Sequence, residues 1–438
     1  REAPVIANGA AHRRSKSASR IKLSGTATEG ADLGIRPEPF SHGLLLYCWE
    51  PLHMSHIAVI GAGITGITTA YALLDKGHRV TVIERHRYAA METSFANGGQ
   101  LSASNAEVWN QSSTILKAIK WMLRKDAPLL LNPKPSWHKL SWLTEFVANI
   151  PNYRSNTIKT TRLAIAARAH LFEMAQRENI EFSVEHRGIL HMYRDAESFR
   201  TAERSNELLR EGGLVRDAVT PSEMRSIEPA LPDYLYGGFY TESDASGDIH
   251  SFTRALADAC QRRGAALLTQ TSVDKLHASN DSVDLTLTNG DATQVEQFDK
   301  VVVCAGVESR RLASQAGDRV NIYPVKGYSI TANLHDEASR SAAPWVSLLD
   351  EGAKVVSSRL GNDRFRVAGT AELNGFNRDI RMDRVAPLVD WVSHLFPGMD
   401  TSDIRPWAGL RPMTPNMVPK VGRGKAPTVY YNTGHGHL

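Results

Sequence analysis

The chain has 438 residues, 42% hydrophobic and 22% charged, a balance that excludes wholesale disorder, collagen and coiled coil. Its 51 basic and 47 acidic residues nearly cancel to a net +4 and are scattered, so there is no nucleic-acid footprint. Three cysteines without a CxxC pair argue against a disulfide framework or a thiolate zinc site, and no apolar run reaches the ~18 residues of a membrane span.

Residues 1–53 show no sustained helix or strand period, and their apolar patch at 43–49 is too brief for a signal peptide. They read as a disordered extension or as sequence upstream of a start at Met54. From there the pattern changes to strand, glycine turn and helix. Residues 57–60 (IAVI) predict a parallel strand buried on both faces. Gly61-Ala62-Gly63-Ile64-Thr65-Gly66 and a helix to Lys76 follow, and a second strand, Val80 to Ile83, ends at Glu84. In this βαβ context Gly61 permits the tight turn, Gly63 lets backbone approach a pyrophosphate, and Gly66 lets helix and strand pack closely. The helix N-terminus offers N–H groups and a positive dipole end to phosphates. Glu84, 18 residues past Gly66, is placed to accept the hydroxyls of an adenosine ribose and disfavours NADP. The turn alone does not separate FAD from NAD.

Beyond it, Glu92 to Gln100 (ETSFANGGQ) combines hydroxyl and amide side chains with two glycines, suited to an extended cofactor. Residues 111–150 are rich in Trp and Lys, and 113–124 is an amphipathic piece that either packs on its own domain or rests on a bilayer surface. Helices are expected at 155–180, 195–211, about 247–263 and 384–396. Strands are expected at 188–193, 234–240, 266–276, 282–288 and 301–303, then at 321–332, 345–349, 353–358 and 363–370. Parallel-type elements at the start, middle and end bracket antiparallel ones. The fold class is therefore α/β: a discontinuous Rossmann-like nucleotide domain of the glutathione-reductase type (54–110, 246–320, 400–438) with an inserted α+β substrate domain of mainly antiparallel sheet (111–245, 321–399).

The series AVIGAGITG, ETSFANGGQLS, VVVCAG, PVKGYSIT, RPWAGLRPMTP and YNTGHGHL resembles bacterial FAD-dependent D-amino-acid dehydrogenases of the small-subunit type, relatives of D-amino-acid oxidase, glycine oxidase and sarcosine oxidase. The resemblance runs from Met54 to Leu438; it gives residues 1–53 no counterpart and expects a helix after the final glycine turn. It implies FAD held by Ile60, Gly61, Ala62, Gly63, Ile64, Thr65, Gly66, Glu84 and Arg85. It also implies contacts from Ser94, Asn97, Gly98, Val273, Ala305, Gly306, Gly409, Gly434, His435 and Gly436. The implied reaction converts a D-amino acid into a 2-oxo acid and ammonia. Electrons pass to a respiratory acceptor, a quinone or carrier protein, consistent with a cytoplasmic protein at the inner face of the membrane.

Such chemistry needs a guanidinium for the carboxylate and a hydroxyl beside it, because the cofactor carries the redox step. Arg411, on a Gly/Pro-bounded segment, is the expected carboxylate fork, and Tyr328 the expected hydroxyl. Tyr240 and His250 are weaker candidates. His435 and His437 flank a glycine without a third ligand nearby, so they read as backbone against the cofactor and no metal is expected. Cys304 reads as packing. The main alternative keeps the fold and changes the substrate to a cyclic or N-methyl amino acid of the D-hydroxyproline, proline or sarcosine type; an NAD-dependent dehydrogenase is a second.

Overall fold

The computed structural model describes residues 54–112 and 129–437. The leader at 1–53 and the amphipathic piece at 113–124 lie outside the described residues.

Buried aliphatic runs form β1 (His56–Ile60) and β2 (Arg79–Ile83), joined by α1 (Ile64–Asp75). Short β3 (Gln100–Leu101) and β4 (Leu129–Leu131) precede α2 (Trp137–Ala148) and α3 (Tyr153–Glu178). Then come β5 (Ile189–Tyr193), α4 (Ala196–Glu211), β6 (Asp217–Val219) and α5 (Pro221–Ile227), the last opened by a Thr220/Glu223 capping box. Next are β7 (Gly237–Thr241), β8 (Ala245–Ser246) and α6 (Ile249–Arg262), which is capped by the Asp248 carboxylate. Five strands follow, β9 (Ala266–Leu268), β10 (Ser272–Ala278), β11 (Val283–Asn289), β12 (Ala292–Phe298) and β13 (Lys300–Val303), then α7 (Ser309–Gln315). After these lie β14 (Tyr323–Asn333), α8 (Glu337–Ala342), β15 (Ser347–Asp350), β16 (Val355–Arg359) and β17 (Arg364–Leu373). The final elements are α9 (Met382–Leu395), β18 (Ile404–Met413), β19 (Lys420–Arg423) and β20 (Val429–Thr433).

Two large sheets organise these pieces. One has six strands in the order β19-β20-β13-β1-β2-β9, parallel except for β19. Both its faces are buried, one under α1, α6 and the end of α3, the other under the three-stranded β10-β11-β12 sheet. Burial on both faces explains the unbroken apolar runs of β1 and β13. The other sheet runs β18-β14-β17-β16-β15-β5-β7-β6, with β4 added to β17, and is mostly antiparallel. One of its faces packs over a core that includes Ile330, Leu348, Val367 and the α9 residues Leu388 and Trp391.

Four sequence expectations need correction. Residues 404–413, assigned to the nucleotide domain, pair along the length of β14 in the larger sheet. Leu171 and Ala175 of α3, assigned to the substrate domain, bury against the α1 and α6 side of the six-stranded sheet. The single strand expected at 266–276 is two, because Gln270 adopts a left-handed φ of 54° and the chain turns from β9, on β2, into β10, on β11. Strand β12 was not expected because its polar, largely exposed sequence carries no apolar alternation.

Candidate active site

The carboxyl ends of β1, β2 and β13 open onto a cavity of about 1500 Å³. Gly61 has φ 102°, and a Cβ there would lie 2.7 Å from the Cys304 carbonyl oxygen. A Cβ on Gly66 would overlap the Gly61 carbonyl, so this helix–strand contact exists only with glycine at both ends. No side chain caps α1 at Gly63, leaving the helix start open to an anion apart from the Ile64 N–H, which donates to Ser94 Oγ at 3.0 Å. Glu84 is buried at the end of β2; its carboxylate accepts from the N–H groups of Ala62 (2.7 Å) and His86 (2.9 Å). Arg85 beside it is paired with Glu92, which also binds His86 and Arg378. Against the opposing effect of burial, Arg378, Arg85 and the hydrogen bond from His86 hold the Glu92 carboxyl down to about 2.

Of the residues expected to hold the cofactor, Ile60, Gly61, Gly63, Ile64, Thr65, Glu84, Arg85, Ser94, Asn97, Val273, Ala305, Gly306, Gly434, His435 and Gly436 line this cavity. Ala62, Gly66, Gly98 and Gly409 do not. Ala62 and Gly66 lie behind the turn; Gly98 touches β16, where Ser358 Oγ donates to its carbonyl, and a Cβ on Gly409 would overlap the Trp407 ring. The final turn is pinned in place: Gly436 N–H donates to Pro412 O at 3.1 Å and His437 Nε2 to Asn105 O at 3.0 Å. Burial pushes both His435 and His437 down to about 4, so both rings are neutral at pH 7. Among the described residues no group of three or more His, Cys, Asp or Glu is placed to hold a metal ion. Cys304 is buried, and burial raises its thiol to about 12, which suits packing.

Arg411 and Tyr328 are not brought together. In the β14–β18 register Val325 faces Arg411 and Tyr328 faces Ala408, so the two side chains stand on opposite faces of the sheet. Tyr328 is buried in the core beneath, its hydroxyl 3.3 Å from Glu372 Oε2 and 3.4 Å from the Asp379 carbonyl. Its expected role beside the carboxylate is therefore withdrawn. Arg411 instead lies across Gly327, where a Cβ would overlap the guanidinium. Its neighbours Leu410 and Pro412 line the cavity. Nη1 donates to the Thr370 carbonyl at 3.0 Å, and among the described residues no carboxylate pairs with it. Burial pushes its pKa down to about 10, so it remains a cation at neutral pH.

Thr370 was missed by sequence reasoning. It is a β-branched residue with φ 60° inside a strand, at the bulge where β17 runs past β14, and its buried hydroxyl has no hydrogen-bond partner among the described residues. Nothing in its local sequence signals that conformation. Tyr240 bonds the Arg187 carbonyl, and His250 packs edge-on to Phe95; neither lines the cavity.

The family described as FAD dependent oxidoreductase (DAO) matches residues 56–438. The chain is 61% identical to D-amino acid dehydrogenase 3 of Mesorhizobium japonicum, covering 88% of this chain and 93% of that relative. It is 41% identical to D-amino acid dehydrogenase of Paramagnetospirillum magneticum over 87% of this chain and 90% of the relative. Its fold resembles that of glycine oxidase from Geobacillus kaustophilus, with a TM-score of 0.66 at 20% identity over 88% of this chain and 90% of that one. The glycine turn, the open start of α1 and the Glu84 carboxylate at the strand end fit an adenine dinucleotide, as that family requires. The chain belongs to the FAD-dependent oxidoreductases of the DAO family, and within them to the D-amino-acid dehydrogenase type.

Proposed function

We propose that the protein oxidises D-amino acids to 2-oxo acids and ammonia and passes the electrons to a respiratory acceptor, a quinone or a carrier protein, at the inner face of the cytoplasmic membrane. The segments of the six-stranded sheet would make a discontinuous FAD-binding half, and the larger sheet the substrate half. Bound FAD supplies the acceptor for the hydride leaving Cα. The residues of the chain bind and orient. Gly61, Gly63 and the start of α1 receive the pyrophosphate, and Glu84 the ribose. Arg411 grips the substrate carboxylate with the donors that Thr370 leaves free, and the neutral His435 and His437 beside it add no competing charge. The observation that carries this reading is the Arg411 guanidinium, a cation with no carboxylate partner among the described residues, on a segment whose neighbours Leu410 and Pro412 line the cavity.

Preference for the D-isomer rests on the names of the relatives, and the respiratory acceptor on the resemblance noted in the sequence. Among the described residues no helix is long and apolar enough to cross a membrane. The test is anaerobic addition of D-alanine, then L-alanine, to FAD-loaded protein. Bleaching of the flavin band by the D-isomer alone is expected; bleaching only by proline or sarcosine would overturn the substrate assignment.

A further inference from the structure

A buried row of hydrogen bonds leaves the cavity at Ser102. Ser102 lines the cavity, and its Oγ lies 3.3 Å from Ser104 Oγ. Ser104 Oγ is 2.9 Å from His191 Nε2, and His191 Nδ1 is 3.3 Å from Glu351 Oε1. Glu351 in turn is 2.5 Å from the Lys354 ammonium. Ser104 and His191 are each only 2% exposed, whereas the Glu351 side chain is 25% exposed. The row therefore runs from the cavity wall, through the protein, to solvent.

Its parts are held in place. The backbone N–H groups of Ala103 and Ser104 both donate to Asp244, which is also paired with Arg168. His191 sits in the middle of β5, between Leu349 of β15 and Phe239 of β7. The charged groups around the imidazole are Arg216, Glu351 and Asp244, and Lys354 faces Glu351. The order Ser104–His191–Glu351 is that of a nucleophile, base and acid, but a serine this buried meets no substrate carbonyl. Only a proton can enter the row, by way of Ser102.

We infer that Ser102, Ser104, His191 and Glu351 form a proton relay that carries the proton of the substrate ammonium from the cavity to water. The inference rests on the amine-oxidising reading above, because an amino acid arrives as an ammonium and loses its hydride from Cα only as the neutral amine. One N–H bond of the substrate breaks and one proton is released at Glu351; no electron moves. Ser102 takes the proton and gives its own to Ser104, Ser104 gives one to His191 Nε2, and His191 gives its Nδ1 proton to Glu351. That direction requires a neutral imidazole with its hydrogen on Nδ1. Burial and Arg216 push the ring down to about 4, in keeping with neutrality. Lys354 and His191 outweigh burial to hold Glu351 ionised, so that a proton reaching it passes on to water rather than resting there.

Two variants, Ser104→Ala and His191→Gln, interrupt the row at different points. Flavin reduction by D-alanine should slow about a hundredfold at neutral pH in both, the range expected for losing a proton acceptor. It should return to the wild-type rate at alkaline pH, where the substrate arrives already as the free amine. Rates equal to wild type at every pH, or lowered by one factor at every pH, would overturn the relay. A second readout is independent of turnover: nitrogen NMR of His191, assigned by its loss in His191→Gln, should show the neutral Nδ1–H tautomer at neutral pH. An imidazolium or an Nε2–H tautomer would overturn the relay even if D-alanine failed to reduce the wild-type flavin, a failure that by itself counts against the substrate reading.

Discussion

The two faces of β14 and β18 treat buried positive charge in opposite ways. On the core face, Lys326 and Arg384 are fully buried, and both approach the buried Glu372 carboxylate, at 2.9 and 3.4 Å. Lys326 also donates to Asn377 and to the Asp379 carbonyl. On the opposite face, Arg411 has one carbonyl and, among the described residues, no carboxylate. Desolvating a cation without a counter-charge costs several kcal/mol, which folding alone gives no reason to bear. The paired face serves the fold, and the unpaired face is where the proposed function seats the substrate carboxylate.

Breaking the paired side should produce the largest effect on stability. Glu372→Gln strands Lys326 and Arg384 and should destabilise the protein by about 3–5 kcal/mol in chemical denaturation, with turnover per folded molecule retained. Breaking the unpaired side should do the reverse. Arg411→Met should cut kcat/KM for D-alanine by the ~2–5 kcal/mol of a lost charge-assisted pair, roughly 30- to 4000-fold, while Tm stays level or rises. Tyr328→Phe sharpens the contrast, since it removes one hydroxyl from the core face. It should cost about 0.5–1.5 kcal/mol and leave kcat/KM close to wild type. The smallest effect belongs to Glu92. Its depressed pKa means that its contribution is complete above the ordinary carboxylate value of 4.5 and is lost as pH falls through about 2. With half-exposed arginine partners that contribution is about 1 kcal/mol or less, and it should appear as the difference in acid unfolding between wild type and Glu92→Gln.

The same contrast explains what could be read from the sequence. The nucleotide end was legible because backbone geometry dictates residue type there: no side chain fits at Gly61 or Gly66, and a short spacing brings Glu84 to the next strand end. Arg411 could be nominated because guanidinium chemistry is specific and its segment is rigid. Tyr328 was misplaced because its face depends on the long-range register with β18, and strand alternation puts it opposite Arg411 across the sheet. Thr370 was invisible because its left-handed φ arises from a bulge between strands distant in sequence. The hydrogen-bonded row through His191 was equally hidden, since Ser104, His191 and Glu351 come from three separate stretches of chain.

The central claim is that Arg411 recognises the substrate carboxylate, and comparing D-alanine with D-alaninamide, which lacks that carboxylate, tests it most directly. The wild-type protein should favour D-alanine in kcat/KM by about a hundredfold or more, and Arg411→Met should reduce that preference to near unity. A preference for D-alanine that survives in Arg411→Met would show that another group binds the carboxylate and would contradict the account.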